Sequence, residues 1–255
     1  MRQIQLLLAY NGTDYQGWQQ QKTGRTIQGI LCETIQSITS EHTRLTAASR
    51  TDAGVHALGQ VAVVRTRSGL SPDVLMRACN AKLPDDIRIL QATEVHERFS
   101  PRYRARRKRY FYMIFIGRNP SVFFRHYVWD IKAQLDLDKM TYAAQYLLGE
   151  HDFSCFKASG CGSKRPVRTI FSLDITTHKS MNFMKVPIKG HFIRISVEAD
   201  AFLRHMVRNI VGTLVEIGRG TMTPDIMTDL LKSRDRKRAG PTAPAKGLFL
   251  EKIIY

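Results

Sequence analysis

Long apolar runs are missing from this chain. Nowhere in its 255 residues do about eighteen apolar side chains follow one another, so no membrane-spanning helix is expected. Met1-Arg2-Gln3-Ile4 leads directly into a strand pattern with no apolar signal segment, and the expected location is cytoplasmic. Cysteine is scarce. Cys32, Cys79, Cys155 and Cys161 show no paired spacing, so no disulfide framework is implied, and Cys32 and Cys79 fall on apolar faces of expected helices, where reduced core thiols are common. Acidic residues are outnumbered, 22 Asp and Glu against 39 Lys and Arg, for a formal charge of +17. A chain with that excess repels itself unless its partner is anionic, which points to nucleic acid. A membrane surface would call for a long basic amphipathic helix or a lipidation signal, and neither is present.

Signatures of several enzyme classes are absent too. There is no Gly-rich loop ending in Lys-Ser or Lys-Thr, and no His-x-Glu with Pro-Cys-x-x-Cys, which sets aside phosphate-loop enzymes and zinc deaminases. His151-Asp152-Phe153 with Cys155 and Cys161 matches no usual zinc spacing, so no metal is expected. Composition, 43% hydrophobic, supports one large or two ordinary globular domains.

What is present has a clear order. Gln3–Tyr10 reads as a strand, and the Gly- and Gln-rich stretch from Asn11 to Gln21 as a long loop. Thr26 caps a helix with Ile27, Ile30, Leu31, Ile35 and Ile38 at helical spacing, ending near Ser40. Thr43–Ala48 and Gly59–Val64 are strand-like. Ser71-Pro72-Asp73 opens a second helix with Val74, Leu75, Ala78 and Cys79 on its buried face, and Pro84 stops it; Ile87–Glu94 is another strand. Strand, helix, strand, strand, helix, strand is the split βαβ order of ferredoxin-like and RNA-recognition domains. From Ala105 the order repeats: a strand at Arg106–Gly117, a helix at Asp136–Leu148, strands at Thr169–Thr177 and Ile188–Val197, a helix at Ala201–Ile217 and a strand at Gly247–Ile254. A short extra helix is expected at Pro224–Leu231. The expected fold is α+β: two ferredoxin-like units, residues 1–104 and 105–255, with antiparallel sheets side by side and a cleft between them.

Between the strand-like runs lies Ala48-Ser49-Arg50-Thr51-Asp52-Ala53-Gly54-Val55-His56-Ala57, which puts a carboxylate in an exposed turn. By itself Asp-Ala-Gly is a turn whose Asp caps backbone amides. Two clusters carry much of the charge. Arg102, Arg104, Arg106, Arg107, Lys108 and Arg109 run straight into Tyr110-Phe111-Tyr112-Met113-Ile114-Phe115, and such a junction suits RNA, because the Lys and Arg cations neutralise phosphates and aromatic rings stack on unpaired nucleobases. Alternation puts Tyr110 and Tyr112 on one strand face, where burial is the competing reading. The second cluster, Lys232, Arg234, Arg236, Lys237 and Arg238, reads equally as a solvated face or a tRNA-backbone contact. In the apolar helix expected from Ala201, Arg204 and Arg208 stand one turn apart. A guanidinium near the core needs an anionic partner, for which Asp52 is a candidate; alternatively both arginines lie on the wet edge.

These residues resemble the TruA-type tRNA pseudouridine synthases over nearly the whole chain. The resemblance rests on Tyr10-Asn11-Gly12-Thr13, Gly17-Trp18-Gln19, Gly24-Arg25-Thr26-Ile27-Gln28, the Ser49–Ala57 stretch and Asn80-Ala81-Lys82-Leu83-Pro84. It continues through Arg98-Phe99-Ser100, Tyr110 and Tyr112, Gly149-Glu150-His151-Asp152-Phe153, Phe202-Leu203, Met206-Val207-Arg208-Asn209 and Gly247-Leu248-Phe249-Leu250. It implies conversion of uridine to pseudouridine at positions 38, 39 and 40 of the tRNA anticodon stem-loop, by a homodimer, with no cofactor. It further implies Asp52 as the catalytic aspartate, Tyr110 as the tyrosine packed on the target base, Arg208 as the aspartate's partner and Arg50 as the basic residue that accompanies base flipping. The residue types suit the chemistry. The reaction breaks C1′–N1 and makes C1′–C5, so one carboxylate suffices, whereas glycoside hydrolysis uses two. The rival readings are a non-catalytic RNA-binding module, which has no use for a carboxylate beside basic residues, and an RNA-cleaving enzyme, which would require a His pair or metal carboxylates.

Overall fold

A computed structural model of the chain describes residues 1–117 and 121–255. By Cα proximity the chain forms two compact units, one of Met1–Arg106 with Phe249–Tyr255, the other of Arg107–Leu248.

The first unit opens with β1 (Arg2–Tyr10), α1 (Ile27–Thr39), β2 (Leu45–Ala47), β3 (His56–Thr66), α2 (Pro72–Lys82) and β4 (Ile87–Val95). β1 lies antiparallel between β3 and β4, with Gln3 opposite Arg65 on one side and Val95 on the other, and β2 pairs with the outer edge of β3. The resulting order, β4-β1-β3-β2, follows from two βαβ crossovers interleaved in one sheet. α1 begins where expected, because Thr26 Oγ1 accepts from the Gly29 amide, and it ends at Ser40 in the left-handed conformation. Ser71 caps α2 in the same manner, with Pro72 in its first turn. Ile4, Leu6 and Leu8 of β1 and Ile27, Leu31 and Ile35 of α1 are fully buried and form the core. Of the four residues expected on the buried face of α2, Leu75 and Cys79 are buried, Ala78 is half-buried and Val74 is exposed; an apolar stripe that wide exceeds what so short a helix can hide.

The second unit comprises β5 (Arg107–Ile116), β6 (Trp129–Ile131), α3 (Leu137–Gln145), β7 (Gly149–Asp152), β8 (Val167–Phe183), β9 (Val186–Ala199), α4 (Met206–Gly218) and α5 (Ile226–Ser233). β5, β9, β8 and β7 pair antiparallel in that order, and the short β6 runs parallel to β5. β6 and β7 have no counterpart in the sequence reading. β8 and β9 extend past the expected strands and meet in a two-residue turn, Met184-Lys185, with φ of 51° and 68°. Positive φ at both central residues is the hairpin turn that matches strand twist, and it is usually built from Asn-Gly, so Met-Lys gives no warning of it. α4 starts at Met206, not Ala201. His205, at φ 62°, stands where the N-cap falls, so Phe202, Leu203 and Arg204 precede the helix although their apolar pattern continues into it.

The last strand, β10 (Leu248–Ile254), pairs in parallel with β3 at His56 and Ala57. The sequence reading put all of 105–255 in one unit; the seven residues from Phe249 group with the first. Arg106 N donates to Ile254 O, and Tyr255 lies against Phe99 with its hydroxyl on Pro101 O. Throughout, the fold is α+β with mostly antiparallel pairing. Among the described residues no helix is long and apolar enough to cross a membrane.

Candidate active site

Asp52 sits in the turn between β2 and β3, and that turn is anchored on both sides by the Asn11–Gln21 loop. Trp18 N donates to Thr51 O at 3.0 Å and Gly54 N to Tyr15 O at 3.2 Å, while Val55 N closes the turn on Asp52 O at 3.2 Å. Side chains add to this. Tyr10 Oη and Thr51 Oγ1 are 2.8 Å apart. The buried Gln60 carboxamide brackets Ser49, accepting from its N at 3.3 Å and donating to its O at 2.7 Å. Gly17 has a φ of +87°, and a Cβ there would lie 2.6 Å from Thr51 O, so only glycine lets the two loops approach this closely. His56, just past the turn, accepts from Gly12 N at Nδ1 (3.1 Å), which places its own proton on Nε2, and its ring stacks on Phe249 at 4.6 Å. Asp52 is half-buried and Arg50 exposed. The arrangement holds a carboxylate on a backbone with little freedom left to lose, which is what a group acting on a bound substrate requires.

Tyr110 and Arg208 lie in the second unit. Tyr110 is 4% exposed and meets Phe202 edge-on at 5.1 Å. Tyr112, on the same face of β5, is fully buried with its hydroxyl donating to Pro244 O at 2.7 Å. Burial pushes the Tyr112 phenol far above its ordinary range, with the nearby Arg208 charge working against it. Arg208 occupies the first turn of α4, half-buried, its Nε donating to Ala243 O at 2.7 Å while Ala243 N returns to Arg208 O at 3.1 Å. The expectation of two arginines on one helix fails, since Arg204 is exposed and lies before α4.

The 239–244 segment that receives Arg208 is held by the second basic cluster. Arg236 is inserted into it as a fork: Nη1 donates to Gly240 O at 2.9 Å and Ala239 O at 3.3 Å, Nη2 to Asn209 Oδ1 at 3.0 Å and Thr242 Oγ1 at 3.1 Å. Asn209, fully buried on α4, donates to Phe156 O at 2.7 Å. Burial draws the Arg236 guanidinium below its ordinary value. Arg234 pairs with Asp152 at 3.1 Å. Two members of a cluster read as solvated face or RNA contact are therefore part of the scaffold. In the first cluster, Arg107 pairs with Glu198 at 3.0 Å over the Phe171 ring and Lys108 is buried, whereas Arg102, Arg104 and Arg106 are exposed beside Tyr103, itself 83% exposed.

The sequence reading placed Asp52 and Arg50 in one loop, gave no role to Gln60, and named Asn209 only within the family motif and Arg236 only within the basic cluster. A polar residue inside an apolar run, such as Gln60 in Ala57–Val64, is the one signal that could have found them, because a buried carboxamide must have partners. Among the described residues no three His, Cys, Asp or Glu side chains are placed to hold a metal ion.

A family model described as tRNA pseudouridine synthase matches residues 7–104 and 143–255. Arg50, Asp52 and Arg208 fall within the match, and Tyr110 in the segment between. The chain is 44% identical to tRNA pseudouridine synthase A of Thermoanaerobacter sp. (strain X514) and 44% identical to that of Acetivibrio thermocellus, in each case over 100% of both chains. It is 39% identical to tRNA pseudouridine synthase A of Thermodesulfovibrio yellowstonii, again over the whole of each.

Proposed function

Since the chain belongs to the tRNA pseudouridine synthase family, we propose that it isomerises uridine to pseudouridine at positions 38, 39 and 40 of the tRNA anticodon stem-loop, with Asp52 as the catalytic carboxylate. The observation that carries this reading is the anchored turn: a half-buried carboxylate on a backbone tied down from both sides, with an exposed arginine two residues before it. In this role Asp52 acts on the nucleoside while its C1′–N1 bond breaks and its C1′–C5 bond forms. C5 gives up its proton and N1 takes one from solvent, so the product is an isomer of the substrate and neither cofactor nor energy source enters. The uridine must first leave its stack, and Arg50 fills the space that it vacates. Tyr110 covers the base and excludes water that would trap the detached ribose, and Arg208 supports the ionised carboxylate. In this reading residues 1–104 supply the aspartate loop and residues 105–255 the tyrosine strand and the arginine helix. The +17 charge, concentrated in part at Arg102, Arg104 and Arg106, supplies attraction to the phosphates. The working protein is a cytoplasmic homodimer.

Asp52→Ala and Asp52→Asn are expected to abolish turnover, by about 1000-fold or more, and to leave tRNA affinity within a few-fold, because phosphate contacts dominate binding. Tritium release from labelled uridine in tRNA reads the first and filter binding the second. Substantial turnover by Asp52→Ala overturns the assignment. Mass mapping of the product, after incubation without added metal or cofactor, locates the modified uridines.

A further inference from the structure

Alternation along β3 turns Gln60, Ala62 and Val64 to one side, opposite Leu8, Leu6 and Ile4 of β1. That side is the core of the first unit, and Ala62 and Val64 are fully buried there. So is Gln60. A carboxamide in an apolar layer is costly unless its polar atoms are paired, so the places its hydrogen bonds reach reveal what the residue is for.

They reach the turn that carries Arg50 and Asp52. Gln60 Nε2 donates to Ser49 O at 2.7 Å and to Tyr10 Oη at 3.4 Å, while Oε1 accepts from Ser49 N at 3.3 Å and from Val61 N at 3.2 Å. Tyr10 Oη lies 2.8 Å from Thr51 Oγ1. A bulge brings the two side chains together: β1 advances from Leu8 to Tyr10 while β3 covers the longer step from Gln60 to Ala57, and such irregularities re-aim side chains. One buried chain of hydrogen bonds thus runs from Ser49 through Gln60 and Tyr10 to Thr51. Ser49 and Thr51 are the two neighbours of Arg50, which is itself exposed.

The geometry of the grip is specific. Ser49 N belongs to the peptide plane before that residue and Ser49 O to the plane after it, and Arg50 Cα lies in the second plane. A single carboxamide bonded to both planes fixes the torsions of Ser49, and Tyr10 holds the chain on the far side of Arg50. Asp52 has other support. Val55 N donates to Asp52 O, Gly54 N to Tyr15 O and Trp18 N to Thr51 O, none of them through Gln60. A long side chain on a wandering backbone spreads over many positions, and fixing its root narrows that spread before RNA arrives.

We propose that Gln60 is a positioning residue that acts through Arg50. It holds the direction in which the arginine leaves the turn, so that the guanidinium fills the gap left by a flipped uridine. It thereby governs how the protein handles a target paired in a stem, where flipping must break a base pair, relative to one that is already unpaired. Tyr10 serves the same end from the Thr51 side. The inference rests on the reading of Arg50 as the residue that accompanies base flipping in a uridine isomerase.

The test measures single-turnover rates, with protein in excess, on two full-length tRNAs that differ in one base. In the first the target uridine is paired; in the second the base opposite is changed so that the target is mismatched. Gln60→Met keeps the length of the side chain and removes its hydrogen bonds. It is expected to slow the paired target about tenfold or more and the mismatched target less than about threefold, with filter-binding affinity for both within about twofold. Added to Arg50→Ala, it is expected to slow the paired target less than about twofold further, because the residue through which Gln60 works is already gone. A general loosening of the fold would slow both targets alike and would add fully to Arg50→Ala, and either result overturns the proposal. So does an unchanged rate on the paired target. If Gln60→Met shows no cooperative urea transition, Tyr10→Phe takes its place, with an expected selective loss of about threefold on the paired target. An equal effect of Tyr10→Phe on both targets then overturns the proposal. Failure of the enzymatic reading looks different: the unmodified protein forms no pseudouridine in either tRNA.

Discussion

The loop that carries Asp52 and the segment that receives Arg208 are immobilised by different means. The first is held chiefly by backbone on backbone, through Thr51 and Tyr15 carbonyls, with neutral side chains, Tyr10 and Gln60, filling in. The second is held by one guanidinium that satisfies four acceptors at once. Backbone attachment demands close approach and therefore glycine, and it tolerates changes in side-chain chemistry. Attachment through a fork demands that particular side chain, because no other residue presents five donors in a plane.

The difference can be broken by mutation, most severely at Gly17. Gly17→Val forces a β-branched residue to φ +87° and a Cβ against Thr51 O, and is expected to destabilise the protein by about 4 kcal/mol, read from the urea midpoint. A loss under about 1 kcal/mol would mean the loops are not in fixed backbone contact. Arg236→Met comes next, at about 2–4 kcal/mol, since four acceptors lose their donor. Arg236→Lys should recover less than half of that, because a point charge cannot replace the fork; full rescue would show that charge alone matters there. The smallest effect is expected at Tyr10. Tyr10→Phe removes one hydroxyl from Thr51 and should reduce stability by about 1 kcal/mol at pH 7. This gap depends on pH. Burial pushes the Tyr10 phenol up to about 12, above its ordinary 10.0. A raised folded-state value means that the contribution is complete below pH 10 and is lost as pH climbs toward 12. The unmodified protein should therefore lose its advantage over Tyr10→Phe across that window, and a gap that stays constant from pH 7 to 12 would remove the buried phenol from the account.

Legibility followed the same division. Elements with local chemistry were readable: Thr26 and Ser71 cap their helices as their side chains require, and β3 is a run of Val between turn residues. The start of α4 was not, because a single left-handed residue decides it and that residue is His205, with no glycine to announce it. The length of β8 and β9 was hidden for a similar reason, since Met184 and Lys185 adopt a turn that their identities do not suggest. Asp52 and Arg50 were visible as a polar turn between strand-like runs. Gln60, Asn209 and Arg236 were not, because what gives them their roles is a set of partners far along the chain, such as Phe156 O for Asn209, and sequence separation hides such pairings.

The membership of the final strand has a consequence for synthesis. Phe249–Tyr255 belong with the unit that begins at Met1, yet they emerge only after all of Arg107–Leu248 has been translated. At usual elongation rates that interval is on the order of ten seconds. During it, the nascent first unit lacks the ring that stacks on His56 and the hydroxyl that reaches Pro101. The segment bearing the proposed catalytic carboxylate should thus reach full protection against amide exchange only after the second unit has left the ribosome, an ordering opposite to the usual N-terminal-first rule.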